Sequence, residues 1–128
     1  MIFDHIVLTV TDTEKSKYFY ATALAALGIV LIKEEDGCLG FGTNGKPSFW
    51  ICKDGKFQKP IHIAFIAKNR KSIDEFHEAA ILAGGRDNGK PGLREHYQPN
   101  YYGAFVLDPD GHNIEAVCRL ATTSGQSH

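Results

Sequence analysis

The chain uses one pattern twice, and that repetition constrains its fold more than any other feature. With His5 laid over His62, HIVLTVTDTEKSKYFYATALAALG runs over HIAFIAKNRKSIDEFHEAAILAGG. Ile6 then meets Ile63, Phe19 meets Phe76, Ala23 meets Ala80 and Gly28 meets Gly85. Apolar and polar positions agree over most of the stretch, as they do when one supersecondary unit occurs twice.

Each copy has the same local order. FDHIVLTV and IHIAFIA alternate and are rich in β-branched or aromatic residues, so each reads as a strand. Thr11-x-x-Glu14 and Ser72-x-x-Glu75 have capping-box spacing and predict helix starts. The helices are expected to run to Gly28 and to Gly84-Gly85, because glycine tolerates the left-handed backbone that ends a helix. Short strand candidates follow: GIVLIKEE, CLGFGT and SFWICK in the first copy, NYYGAFVLD and NIEAVCRL in the second. Asp36-Gly37, Asn44-Gly45 and Asp108-Pro109-Asp110-Gly111 separate them with turn chemistry. The segment from Asp87 to Pro99 has little periodicity and reads as a loop or an irregular strand. The expected class is α+β, each half a strand, a helix and two or three antiparallel strands, with both helices backing a curved sheet. One domain spans 1–120, with module 1 at about 1–56, module 2 at about 57–120 and a flexible tail over 121–128.

Composition narrows the partners. The 128 residues carry a formal charge of −1 with no basic stripe, which argues against nucleic acid or an anionic membrane as the main partner. No apolar run is long enough to span a bilayer, and MIFDHIVLTV lacks the basic start of a signal peptide. Cys38, Cys52 and Cys118 are odd in number, far apart and without a CxxC pair. They are read as reduced thiols in a cytoplasmic protein, Cys52 and Cys118 serving as small buried hydrophobes.

Side chains alternate faces along a strand. Ile6, Leu8 and Val10 share one face of the first strand, and His5, Val7 and Thr9 share the other. Ile61, Ile63 and Phe65 likewise lie opposite His62, Ala64 and Ile66, and Ile114, Ala116 and Cys118 opposite Glu115 and Val117. If the more apolar faces pack on the helices, His5, His62 and Glu115 all point to the concave side. A carboxylate inside IEAVC is costly unless paired, and two imidazoles with a divalent cation would pair it. Taken singly, each is better explained structurally: a strand histidine held by hydrogen bonds, and Glu115 paired with Arg119 or Lys33 or set on an exposed edge. Two histidines at equivalent repeat positions favour the shared site.

These segments resemble the vicinal oxygen chelate superfamily of glyoxalase I, extradiol dioxygenases, fosfomycin-resistance proteins and bleomycin-binding proteins. The resemblance runs from about Phe3 to Arg119, and its most specific part is the pattern DPDG-x-x-IE within GAFVLDPDGHNIEAVC. It implies two βαβββ modules forming a curved, barrel-like mixed sheet with helices on the outer face, and a metal cup with His5, His62 and Glu115 as ligands to one Mn, Fe, Ni or Zn ion per chain. Laying SFWIC over IEAVC with the cysteines in register places Phe49 at the fourth ligand position, where glyoxalase I has a glutamate. Three ligands look more like the dioxygenases and the fosfomycin thiol transferases. Pro99 and Gly103 stand where the latter have serines.

The resemblance thus implies a metal-dependent lyase, dioxygenase or thiol transferase that chelates a small oxygen-rich substrate, working as a homodimer. The alternative is a metal-free small-molecule binder of the bleomycin-resistance type. Substrate contacts are expected from Phe49, Arg94, Tyr101 and Tyr102, with Val7, Ile66 and Val117 as apolar lining. Catalytic groups are sought among His96, Tyr97, Tyr101 and Tyr102. Trp50 is expected to face the helices, His112 to be exposed in its turn, and His77 to flank a helix.

Overall fold

The computed structural model describes residues 2–53 and 59–120. The boundary expected between modules and the tail 121–128 lie outside the described residues. The first module is β1 (Ile6–Val10), α1 (Thr13–Ala25), β2 (Val30–Glu35), β3 (Cys38–Thr43) and β4 (Lys46–Lys53). The second is β5 (His62–Ile66), α2 (Arg70–Leu82), β6 (Arg86–Leu93), β7 (Tyr102–Leu107) and β8 (Asn113–Cys118). Each is a βαβββ unit, as the repeat requires.

The strands form two four-stranded mixed sheets, ordered β1-β4-β3-β2 and β5-β8-β7-β6, rather than one barrel-like sheet. In each, the first strand pairs in parallel with the last and the other pairings are antiparallel. The segment from Arg86 to Leu93 is the irregular strand of the two options, with register shifts between Asp87 and Gly89 and between Gly89 and Gly92.

The helices follow from spacing. Ser16, Phe19, Tyr20, Ala23 and Leu24 are the buried residues of α1, and Ile73, Phe76 and Ala80 those of α2. These three- and four-residue steps place them on one stripe of a helix. The stripes pack on the sheets and on each other, joining both modules in one core. The caps differ from the predicted ones. Asp12 accepts from the amides of Glu14 and Lys15, and Asn69 from that of Ser72. Thr11 bonds Asp110 instead, its hydroxyl donating at 2.6 Å. Both helices end before a glycine in the left-handed region, Gly28 at φ 78 and Gly84 at φ 100.

The DPDG turn ties the modules together. Asp108, on the turn after β7, accepts from the Tyr20 hydroxyl of α1 and from the amides of Asp110 and His112. His112 is buried rather than exposed: Nδ1 accepts from the Ile61 amide at 3.1 Å, and Nε2 lies 3.4 Å from the Thr9 carbonyl. That pairing makes the imidazole a neutral tautomer with its proton on Nε2. Burial pushes the Tyr20 hydroxyl well above its ordinary range, and the adjacent Asp108 carboxylate adds to the shift.

Two cysteines depart from the reduced reading. Cys38 and Cys52 are directly opposed on β3 and β4 and form a disulfide, their Cα atoms 4.2 Å apart. Cys118 is free and buried. No helix of the described residues is long and apolar enough to cross a membrane.

Candidate metal centre

Burial sorts the two sheet faces as alternation predicts. Leu8 and Val10 are in the core, whereas Val7 is 51% exposed. Ile63 and Phe65 pack against the core, whereas Ile66 is 80% exposed. His5 and Val7 therefore mark the open face of the first sheet, and His62, Ile66 and Glu115 that of the second.

Strand register corrects one assignment. Ile6 pairs with Phe49 and Val7 with Trp50, while Ile63 pairs with Ile114 and Ala64 with Glu115. Because Ile6 and Ile63 are equivalent, Phe49 corresponds to Ile114 and Trp50 to Glu115. Aligning the cysteines was off by one residue, which on a strand exchanges the faces. Phe49 is in the core, its ring 5.3 Å from Tyr20 and 5.2 Å from Phe65. Trp50, not Phe49, lies on the open face, lining a shallow cavity of about 430 Å³ with His5, Val7, Cys38 and Cys52.

On the second sheet, His62 Nε2 lies 2.7 Å from Glu115 Oε1. Glu115 is 1% exposed, and its Oε2 accepts from the Tyr101 hydroxyl. A side chain on Gly103 would lie 3.3 Å from the Tyr101 ring and 3.4 Å from Oε2, so the glycine leaves room for that contact. Tyr101 is set by the turn before β7: Asn100 has φ 64, and the Arg94 amide donates to the Tyr101 carbonyl at 2.6 Å. Burial raises the Tyr101 hydroxyl to about 12, reinforced by the bond to Glu115, so it stays a donor at neutral pH.

The remaining candidates divide. Arg94 lies over Phe105, the cross-strand neighbour of Glu115, 5.2 Å from the ring centroid. Its guanidinium donates to the carbonyls of Gly92, Gly103 and Lys90, so both Nη1 hydrogens are already used. The free bidentate grip expected of Arg94 is thus replaced by a bracing role between β6 and β7. Tyr97 packs edge-on against Tyr101 at 5.0 Å, and His96 stacks beyond it at 4.3 Å from Tyr97. Tyr102 points the other way, donating to Asp74 of α2 at 2.6 Å with Arg70 over its ring. It shares the core face with Ala104, so it is not part of the open site. Val117 is buried beside Gly103. His77 lies on the flank of α2, as expected, and pairs with Asp87 at 2.9 Å.

His5 is half exposed and bonds Asp4 at 2.8 Å. It lies on the first sheet, apart from the His62–Glu115 pair. Among the described residues no group of three or more His, Cys, Asp or Glu side chains comes together to hold a metal ion. The donors His62 and Glu115 nevertheless fit a divalent cation. A buried carboxylate and an imidazole nitrogen lie 2.7 Å apart, and a cation between such donors would relieve the cost of burying the charge.

A family model described as the Glyoxalase/Bleomycin resistance protein/Dioxygenase superfamily matches residues 2–116. The chain is similar to a crystal structure of a glyoxalase/bleomycin resistance protein from Albidiferax ferrireducens T118, at 29% identity and TM-score 0.83, covering 93% of this chain and 100% of that one. A glyoxalase-related enzyme from Fulvimarina pelagi shares 18% identity at TM-score 0.71, covering 92% and 87%. The oxidase ChaP-H2 shares 19% at 0.69, covering 94% and 95%. No curated protein matches the chain.

Proposed function

The chain belongs to the Glyoxalase/Bleomycin resistance protein/Dioxygenase superfamily, and from that premise we propose that it is a metal-dependent enzyme acting on a small oxygen-rich substrate. A divalent ion would be held by His62 and Glu115 of one chain and by His5 of a second copy. The observation that carries this reading is the buried Glu115 carboxylate, oriented by Tyr101 on one oxygen and by His62 on the other.

Two neutral imidazoles and a carboxylate suit Mn, Fe, Ni or Zn and leave coordination positions open for substrate oxygens. When bound, such an ion supplies Lewis-acid stabilisation of a developing oxyanion. The chain's own groups do the rest. Tyr101 fixes the Glu115 rotamer and keeps a proton at its hydroxyl. Arg94 holds β6 against β7 beside Phe105, and Val7, Trp50 and Ile66 present apolar surface that excludes water. The position equivalent to Glu115 carries Trp50, so a second carboxylate base of the glyoxalase I kind has no counterpart there.

His5 and the His62–Glu115 pair lie on open faces of different sheets, which supports a homodimer in which the first sheet of one copy faces the second sheet of the other. The test mixes two inactive variants, His5→Ala and Glu115→Gln. In a heterodimer with exchanged ligands, one of the two sites has all three donors, and divalent-ion binding returns by calorimetry. If ligands come from one chain, no mixture binds. A wild-type chain that takes up none of the four ions sinks the enzyme reading. That result supports instead the metal-free binder, which the apolar Val7, Trp50 and Ile66 surface also suits.

A further inference from the structure

The open face of the first sheet carries a chemical group that the metal reading does not use. Cys38 and Cys52 are half-buried, and both line the cavity that also holds Trp50, Glu35 and Asp36. In the proposed dimer that cavity is part of the cup that admits a small substrate, so the bond is within reach of a small molecule entering it, unlike Cys118, which is buried among core residues of the second module.

More than this bond holds the hairpin together. It joins strands already paired from Thr43↔Lys46 to Leu39↔Ile51, so opening it leaves the hairpin laddered. A sequence separation of 14 residues closes a short loop, so the entropy that the bond removes from the unfolded chain is smaller than for a disulfide closing a long one. Trp50 occupies the neighbouring cross-strand pair, opposite Gly40. A Cβ on Gly40 would lie 2.9 Å from the indole, so the ring reaches over that glycine, on the same face as the two sulfurs.

We propose that Cys38–Cys52 is a thiol-exchange site, opened in the folded protein by a small uncharged thiol, and that opening it resets the cavity wall at Trp50. A thiolate RS⁻ attacks one sulfur, forming a mixed disulfide and releasing the other cysteine as a thiolate. A second RS⁻ attacks the outer sulfur, releasing RSSR and the remaining cysteine thiolate. Both thiolates take protons from water, so the protein gains two electrons and two protons while two thiols become one disulfide. Asp36 at the cavity edge, beside a Glu35 that is paired with Lys33 at 2.9 Å, disfavours thiols carrying a further negative charge, which favours the otherwise uncharged class.

The test uses the full chain, air-oxidised, with and without dithiothreitol, then alkylated by iodoacetamide under native conditions and mapped by mass spectrometry. The expected result is no label on Cys38 or Cys52 before reduction and full label on both after it. Cys118 is labelled only on denaturation, and the far-UV circular dichroism is the same before and after reduction. Trp50 is the only tryptophan in the chain, so its emission reports directly on the neighbouring bond, and it rises on reduction as the quenching disulfide is lost. The Cys38→Ser/Cys52→Ser double variant shows no such response. Cysteines that resist labelling until the protein unfolds, or that label without reductant, overturn the proposal, as does loss of the fold on reduction. Unchanged Trp50 emission overturns the coupling to the cavity wall.

Discussion

The Tyr101 hydroxyl donates to Oε2 of the buried Glu115, leaving Oε1 to face His62 at 2.7 Å. One residue from an irregular loop thereby decides which oxygen of a strand carboxylate is free to bind. Tyr101→Phe keeps the ring and removes only the donor. An unsatisfied buried oxygen costs about 1–3 kcal/mol, which urea unfolding of the metal-free protein measures. Loss of a group that orients a ligand lowers divalent-ion affinity by about 10–100-fold. If calorimetry on the variant gives the wild-type affinity, Tyr101 does not position Glu115.

Phe49 and Trp50 are adjacent in sequence and opposite in role. Phe49→Ala should cost about 3–5 kcal/mol, because its ring fills a core shared with Tyr20, Phe41 and Phe65. Trp50→Ala, on the open face, should cost clearly less while altering whatever the cavity binds. Equal losses of stability in chemical denaturation would contradict the face assignment.

Tyr20 and Asp108 join the first helix to the turn between β7 and β8. Tyr20→Phe leaves the nearly inaccessible Asp108 with only its two backbone donors, Asp110 and His112. Desolvation already raises the Asp108 carboxyl above its ordinary value, and the Tyr20 bond is the largest influence opposing that rise. The variant should therefore lose about 1–3 kcal/mol in denaturant unfolding and show a further raised Asp108 titration by carboxyl NMR. A titration unmoved by the substitution would show that the bond does not hold in solution.

Asp87 on β6 is held down to about 2, first by the hydrogen bond with His77, then by the Gly89 amide and Lys90. A folded value below the unfolded one means that its contribution is complete above the ordinary carboxylate range. That contribution fades as pH falls from about 4 toward 2. Carbon NMR should place the Asp87 midpoint near the lower end of that window, and His77→Ala should return it toward the ordinary value. A midpoint indifferent to that substitution would remove His77 as the cause.

Much of this architecture is written locally. Phe19, Tyr20 and Ala23 fall on a helical stripe, and Leu8 and Val10 alternate with Val7 and Thr9, because these periods belong to the backbone itself. The turns at Asp36-Gly37 and Asn44-Gly45 need left-handed residues, with φ 53 and 77 at the first and 54 and 75 at the second. Both are readable as short motifs. Repetition of that grammar was enough to predict two βαβββ units and to pair His62 with Glu115 on one face.

What crosses between elements was decided only in three dimensions. No local rule sets the parallel register of β1 on β4, and that register, one residue away from the cysteine alignment, puts Trp50 instead of Phe49 on the open face and Cys52 there against Cys38. Burial of His112 depends on the Ile61 amide and the Thr9 carbonyl arriving from two other segments. The turn of Tyr102 toward Asp74 depends on where α2 lies over β7. Local chemistry sets the period of each element and thus which side chains share a face. Only the packing of whole elements, which trades buried area against satisfied polar groups over the entire chain, determines what each face meets.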